Sequence, residues 1–188
     1  INLLSRAYNN AASNASLSKI TVDSNTITGA TNVRAAVLAV AETRRATSPS
    51  SVSQLSIVNN TLDGNYNGIE IQDYKNGGNG ATHSSITVSN NFISNQTANG
   101  IHIETSTAAI GIAVSDNSIT GSTQYGIYHQ GTDTLAATCN WWGTSTFAGV
   151  QSKISGNAHY VPYLTSGTDD QTGTAGFQPA SGTCTGYP

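Results

Sequence analysis

The stretch Ile20-Thr-Val-Asp-Ser-Asn25-Thr-Ile27-Thr-Gly29 decides the fold, because the chain goes on to repeat its pattern. The later copies are Leu55-Ser-Ile-Val-Asn-Asn60-Thr-Leu62-Asp-Gly64, Ile86-Thr-Val-Ser-Asn-Asn91-Phe-Ile93-Ser-Asn95, Ile112-Ala-Val-Ser-Asp-Asn117-Ser-Ile119-Thr-Gly121 and Leu135-Ala-Ala-Thr-Cys-Asn140-Trp-Trp142-Gly-Thr144. Each carries apolar residues at its first, third and eighth places and Asn at its sixth. Alternation with a period of two puts successive side chains on opposite faces of a strand. The interruption at Asn marks a corner, where a residue in the left-handed or bridging region is tolerated.

A second block follows the first at near-constant distance: Gly68-Ile69-Glu70-Ile71, Gly100-Ile101-His102-Ile103 and Gly126-Ile127-Tyr128-His129. The unit therefore holds three short strands. Successive corner asparagines are 35, 31, 26 and 23 residues apart, which suits one coil of a right-handed parallel β-helix with loops that shorten toward the C-terminus. Stacked coils set equivalent residues roughly 4.8 Å apart. Asn25, Asn60, Asn91, Asn117 and Asn140 then form an internal ladder of side-chain amides that satisfies buried corner backbone groups. Ile, Leu and Val at matched places stack into the core, and several coils are needed because one cannot bury its own face. The expected fold is all-β: a single-stranded right-handed parallel β-helix solenoid with a C-terminal cap and tail. Residues 1–16 read as the remnant of a preceding coil, 17–165 as the β-helix, and 166–188 as a tail packed on the last coil. The stretch Val33-Arg-Ala-Ala-Val37-Leu-Ala-Val40 reads as a strand pair or a short helix, and Arg44, Arg45 and the residues to Ser53 as a solvated excursion.

Composition narrows the partners. Asn, Thr and Ser number 19, 25 and 23 among 188 residues, only 9% are charged, and the net charge is −3. Without a basic run, the chain lacks the footprint that nucleic acid or an anionic membrane requires. Nor does any apolar run approach the roughly 20 residues needed to span a bilayer, so membrane insertion is not expected. The chain has no Met and starts at Ile1, which suggests a piece cut from a longer precursor. Cys139 and Cys184 are its two cysteines. An even pair in such a composition suits one disulfide in a secreted protein, and two buried free thiols in a cytosolic protein is the alternative.

The repeats resemble those of the right-handed parallel β-helix superfamily, of the pectate-lyase-like and NosD-like kind, over roughly residues 17–165. The ending Cys139-Asn-Trp-Trp-Gly143, with Val150-Gln-Ser-Lys-Ile-Ser-Gly-Asn-Ala-His-Tyr-Val-Pro-Tyr-Leu164 after it, resembles the closing coil of β-helix domains in large secreted bacterial surface proteins. The resemblance implies an extracellular or cell-surface location and a larger parent protein more than it implies a chemistry. An open end exposes strand edges and core, so the last coil needs a cap. Trp142 falls at the inward place and is expected to cover the core, and a Cys139–Cys184 bridge would pin the tail across the terminal coil.

One outer face carries candidate chemistry. Glu70, His102 and Tyr128 are the outward residues between inward Ile69 and Ile71, Ile101 and Ile103, and Ile127 and His129. Gln72, Glu104 and Gln130 are the next outward places. This set is the expected carbohydrate-binding surface. Sugar-processing β-helices place carboxylate, imidazole and phenol in adjacent rungs, so Glu70, His102, Glu104 and Tyr128 are also the residues of an alternative, a polysaccharide lyase or related uronate enzyme. Uronate lysis also needs carboxylates neutralised by Ca²⁺ or several cations, and Lys75 is the one cation evident nearby in the sequence. Residues 74–83 would form a groove wall. His83 is placed in a loop, His129 at an inward core or cap position, and no spacing suggests zinc. No catalytic metal or cofactor is expected, with weak Ca²⁺ binding at Asp169 and Asp170 or at Asp63 left open. The expected function is a non-enzymatic structural or adhesive module of a secreted or cell-surface bacterial protein. Its expected partners are a polysaccharide or surface glycan, neighbouring domains, or a second copy in a self-assembled filament.

Overall fold

The computed structural model describes residues 1–7, 14–44, 49–75, 80–105 and 111–188, residue 75 by its backbone alone. Three parallel sheets account for the strands of the repeat. Sheet A contains β1 (Asn2–Ala7), β4 (Ala35–Thr43), β7 (Asn67–Lys75), β10 (Ile101–Glu104), β13 (Ile127–His129) and β15 (Ile154–Ser155). Sheet B contains β2 (Ala15–Asp23), β5 (Ser50–Val58), β8 (Ala81–Ser89), β11 (Ile112–Ser115), β14 (Leu135–Ala136) and β16 (Ala158–His159). Sheet C contains β3 (Thr26–Thr28), β6 (Thr61–Asp63), β9 (Phe92–Ser94) and β12 (Ser118–Thr120). The chain visits A, B and C in turn, so each strand pairs with its counterpart one repeat away, as in an all-β parallel solenoid.

Matched residues stack in register. Val37, Ile69, Ile101 and Ile127 pair along sheet A, Leu55, Ile86 and Ile112 along sheet B, and Leu62, Ile93 and Ile119 along sheet C. None is more than 3% exposed, and all join one core cluster. Burying each such side chain contributes about 1.5–3 kcal/mol. The segment at 33–40 lies mostly in β4, a plain strand whose Ala35, Ala36, Ala39 and Ala41 are buried. Residues 45–48 of the expected excursion lie outside the described residues. His83, placed in a loop by the sequence, belongs instead to β8 and is 5% exposed. The strand reaches further toward its N-terminus than the repeat block that was used to find it.

The amides stack as a ladder. Asn60, Asn91, Asn117 and Asn140 are fully buried. Asn91 Oδ1 accepts from the backbone N–H and the Nδ2 of Asn60, both at 2.9 Å, while its own Nδ2 donates to Asn117 Oδ1, Ile57 O and Ser89 O. The residue in the left-handed region is the one before each ladder Asn: Ser24, Asn59, Asn90, Asp116 and Cys139 all have φ of 56–57°. Asn, Asp and Ser are favoured there because a short polar side chain bonds locally. A second stack at the next corner was not legible in the repeat. Asn65 Oδ1 accepts from Ala30 N–H, and Asn65 N–H donates to Gln96 Oε1 at 2.8 Å.

The C-terminal region closes the stack. Trp142 is 1% exposed and packs under Gly126, where a β-carbon would stand 3.0 Å from the indole. A short helix, α1 (Phe147–Gln151), is capped by Thr146 and buries Val150. Beyond it, β17 (Tyr163–Leu164) pairs antiparallel with β18 (Cys184–Gly186). Cys139 and Cys184 form a disulfide with Cα atoms 5.1 Å apart. The tail reaches well past the last repeat. Phe177 is buried against Phe92, its N–H donates to Asn90 O, and Gln178 Nε2 donates to Asn59 Oδ1. Most of this contact is made by the corner side chains, since Asn90 Nδ2 also donates to Phe177 O and to Gln178 Oε1. Among the described residues no helix is long and apolar enough to cross a membrane, which leaves β-barrels unaddressed. The disulfide is consistent with an oxidising, extracellular environment.

Candidate functional site

The outer face of sheet A brings the predicted residues together. Pairing sets Glu70 opposite His102 and His102 opposite Tyr128, with Glu104 opposite Gln72. These positions face out because their neighbours Ile69, Ile71, Ile101 and Ile103 are locked into the core. The His102 and Tyr128 rings stack face to face, 5.0 Å between centroids and 3° from parallel. Their polar atoms are linked through Gln130: His102 Nε2 lies 3.0 Å from Gln130 Oε1, and Gln130 Nε2 donates to Tyr128 Oη at 2.9 Å. An amide oxygen only accepts, so His102 carries its hydrogen on Nε2. The Tyr128 hydroxyl accepts from Gln130 and keeps its own hydrogen for a further acceptor.

Glu70 is outward by register yet 0% exposed. Arg34, a residue the sequence analysis left out of the site, covers it. Its Nε donates to Glu70 Oε1 at 2.7 Å, its Nη2 reaches both Glu70 Oε1 and Glu104 Oε2, and Asn67 Nδ2 donates to Glu70 Oε2 at 2.9 Å. The hydrogen bond with Glu70 raises the Arg34 pKa still further above its ordinary value, against the effect of partial burial. Lys75, expected as the nearby cation, has its side chain outside the described residues, as are residues 76–79 of the expected groove wall. Among the described residues, Arg34 is the cation that engages Glu70 and Glu104. It was missed because it precedes β4 in the repeat whose glycine block is degenerate, which hides its alignment with the Glu70 rung.

Glu70 and Glu104 converge on Arg34. One ligand atom from each of Glu70, His102 and Glu104 lies within 4.8 Å of the others. A divalent ion could sit among them only by displacing the guanidinium. Glycoside hydrolysis asks for one carboxyl as acid and another as nucleophile or base, whereas here one guanidinium engages both carboxylates.

Arg34 lines three clefts, two of which combine charged, amide and aromatic side chains. One, of about 360 Å³, is lined by Arg34, Tyr66, Asn67, Glu70, Asn99, His102, Gln124 and Tyr128. Asn67 and Asn99 are themselves stacked, Asn99 Nδ2 donating to Asn67 Oδ1. Tyr66 is 44% exposed, and Tyr125, tilted against Tyr128 at 5.9 Å, is 37% exposed. The other cleft, of about 330 Å³, has Leu4, Leu38 and Val40 beside Arg6, Arg44, Gln72 and Tyr74. Glu42 lies in it, buried and bridged by Arg6 and Arg44. That second cleft was also missed: its apolar residues occupy the outward column that holds Glu70 and Gln72 one repeat later.

The opposite outer surface, on sheet B, carries the column Thr21, Ser56, Thr87, Ala113 and Ala136 in register. It presents small, mixed side chains and little chemistry. No protein-family model, curated protein or solved structure matches the chain.

Proposed function

We propose that the chain is an extracellular right-handed β-helix module of a larger secreted or cell-surface protein, of the pectate-lyase-like and NosD-like repeat type, and that the outer face of sheet A binds a glycan without cleaving it. The observation that carries this reading is the cleft between Tyr66 and the His102–Tyr128 stack. Aromatic faces accept the C–H surface of a sugar ring, while the exposed amide of Gln124 and the Arg34 guanidinium supply directed hydrogen bonds to hydroxyls. All sit on or beside parallel rungs whose other faces are packed, so little is lost to ordering on binding. Structural or adhesive use follows from a rigid stack that presents such a surface.

A second reading, uronate lysis, draws on one observation: Glu70, His102 and Tyr128 share a column next to a cation. The two part cleanly in an assay. The module is incubated with a panel of uronate and neutral polysaccharides, with and without Ca²⁺, and followed both by glycan-array binding and by ultraviolet absorbance of unsaturated product. Binding without product is expected. Product that disappears in His102→Ala or Tyr128→Phe would replace the binding reading with the enzymatic one.

A further inference from the structure

His129 lies on the inner side of β13, opposite in direction to Tyr128, and is 2% exposed. Its Nδ1 is 3.0 Å from the carbonyl oxygen of Asn157. A carbonyl only accepts, so Nδ1 carries a hydrogen, and when the ring holds a single hydrogen it turns a lone pair outward at Nε2. That nitrogen, Asp133 Oδ1 and Thr105 Oγ1 are all closed to solvent, and none has a hydrogen-bond partner among the described residues. Nε2 and Oδ1 stand 3.4 Å apart. A β-carbon added at Gly131 would meet all three atoms, so they surround one small volume that glycine leaves open. Three buried polar atoms with at most one hydroxyl hydrogen between them are a costly arrangement, and a positive charge among them removes the cost.

We propose that Thr105, His129 and Asp133 bind one divalent transition-metal ion of the zinc class. Two ligands each about 2.0–2.2 Å from a tetrahedral ion stand about 3.4 Å apart, which is the separation of Nε2 and Oδ1. A charge-assisted hydrogen bond would draw the same atoms to about 2.7–2.9 Å. A ring that donates one N–H to a backbone carbonyl and turns its other nitrogen to the ion is the outer-shell arrangement that orients a ligating histidine. Imidazole together with carboxylate selects zinc, cobalt or nickel over calcium or magnesium. The Asp133 side chain is 23% exposed, so the ion enters past it and completes its coordination with water. Thr105 follows β10 while His129 ends β13, so the ion staples two adjacent rungs. The site faces the interior and is separate from the Glu70, His102 and Glu104 cluster on the outer face.

The test uses the chelator-stripped chain titrated with Zn²⁺ alone by calorimetry, and with Co²⁺ by visible absorption. One ion per chain is expected, with the intense ligand-field bands of a tetrahedral Co²⁺ site. Asp133→Ala and Thr105→Val, which spare the buried ring, are expected to weaken binding by at least about ten-fold with little change in the metal-free Tm, and His102→Ala to leave it unchanged. The proposal is overturned by the absence of binding, or by affinity that survives in Asp133→Ala and Thr105→Val. Binding that His102→Ala removes would also overturn it, and would put the ion on the outer cluster.

Discussion

The inner corner and the outer face of sheet A are built from the same repeats, yet they differ in kind. At the corner, Asn60, Asn91 and Asn117 do one thing three times over: each accepts from the Asn of the repeat before and donates to the Asn of the repeat after, and Asn140 ends the ladder by accepting from Asn117 and donating to backbone carbonyls. On the outer face no two rungs agree. Leu38, Glu70, His102 and Tyr128 occupy one column. Identical side chains stacked 4.8 Å apart satisfy one another and leave nothing for a ligand. Dissimilar side chains in the same geometry leave rings, amides and charges that a ligand can use. Repetition in this molecule supports the stack, and departure from repetition marks the surface where function is proposed.

The largest expected effect breaks the corner. Asn91→Ala removes five hydrogen-bonding contacts of a fully buried amide, at about 1 kcal/mol each. A loss of about 5 kcal/mol in urea unfolding is expected, enough to unfold a marginal domain. Asn25→Ala, at the partly exposed start of the ladder, should cost far less. Equal losses at the two positions would show that the ladder is not cooperative.

Next in size is the clip that ties the tail to that corner. The Cys139–Cys184 bridge closes a separation of 45 residues, worth about 4 kcal/mol in the chain-entropy description. Cys184→Ser should lower stability by about that amount and open Phe177 and Gln178 to hydrogen exchange, with the amides of β7 unaffected. Protection that persisted at Phe177 would mean that the contact with Phe92 holds the tail by itself.

A third effect comes from an ionisable pair, Asp73 and His83, on the inner side of sheets A and B. Burial pushes His83 down from 6.5 to about 4, opposed by the charge of Asp73. Between those values the unfolded chain binds a proton that the folded chain refuses. Stability is therefore full above about pH 6.5 and falls as the pH drops toward 4, by about 3 kcal/mol in all. Denaturation measured at neutral pH and near pH 4 should show this slope, and His83→Gln should flatten it. An unchanged slope in that variant would assign the acid sensitivity to the carboxylates.

How much was legible in the sequence follows from the same contrast. The ladder, the core columns and the pairing of Glu70 with His102 and Tyr128 could be read because identical or similar residues recur at matched places. Arg34 could not, because a guanidinium that bridges Glu70 and Glu104 arrives from a different strand connection and appears once. The Asn65–Gln96 stack was hidden by its change of side chain, although the two residues are 31 apart like Asn60 and Asn91. The reach of the tail to Asn59 and Asn90 left no sequence signal, since it rests on two side-chain amides and one carbonyl that meet Phe177 and Gln178 once, outside the repeat.

The smallest expected change in stability belongs to the outer face, where Tyr128→Ala should shift unfolding by about 1 kcal/mol or less, as for other half-exposed sites. Its effect on binding should be large. The most direct test of the proposed glycan surface is therefore a glycan array run with the native chain beside Tyr128→Ala at matched Tm. Binding to a defined glycan that Tyr128→Ala loses, with no cleavage product from the native chain, is the predicted result. Cleavage by the native chain, or binding that survives intact in Tyr128→Ala, would contradict it.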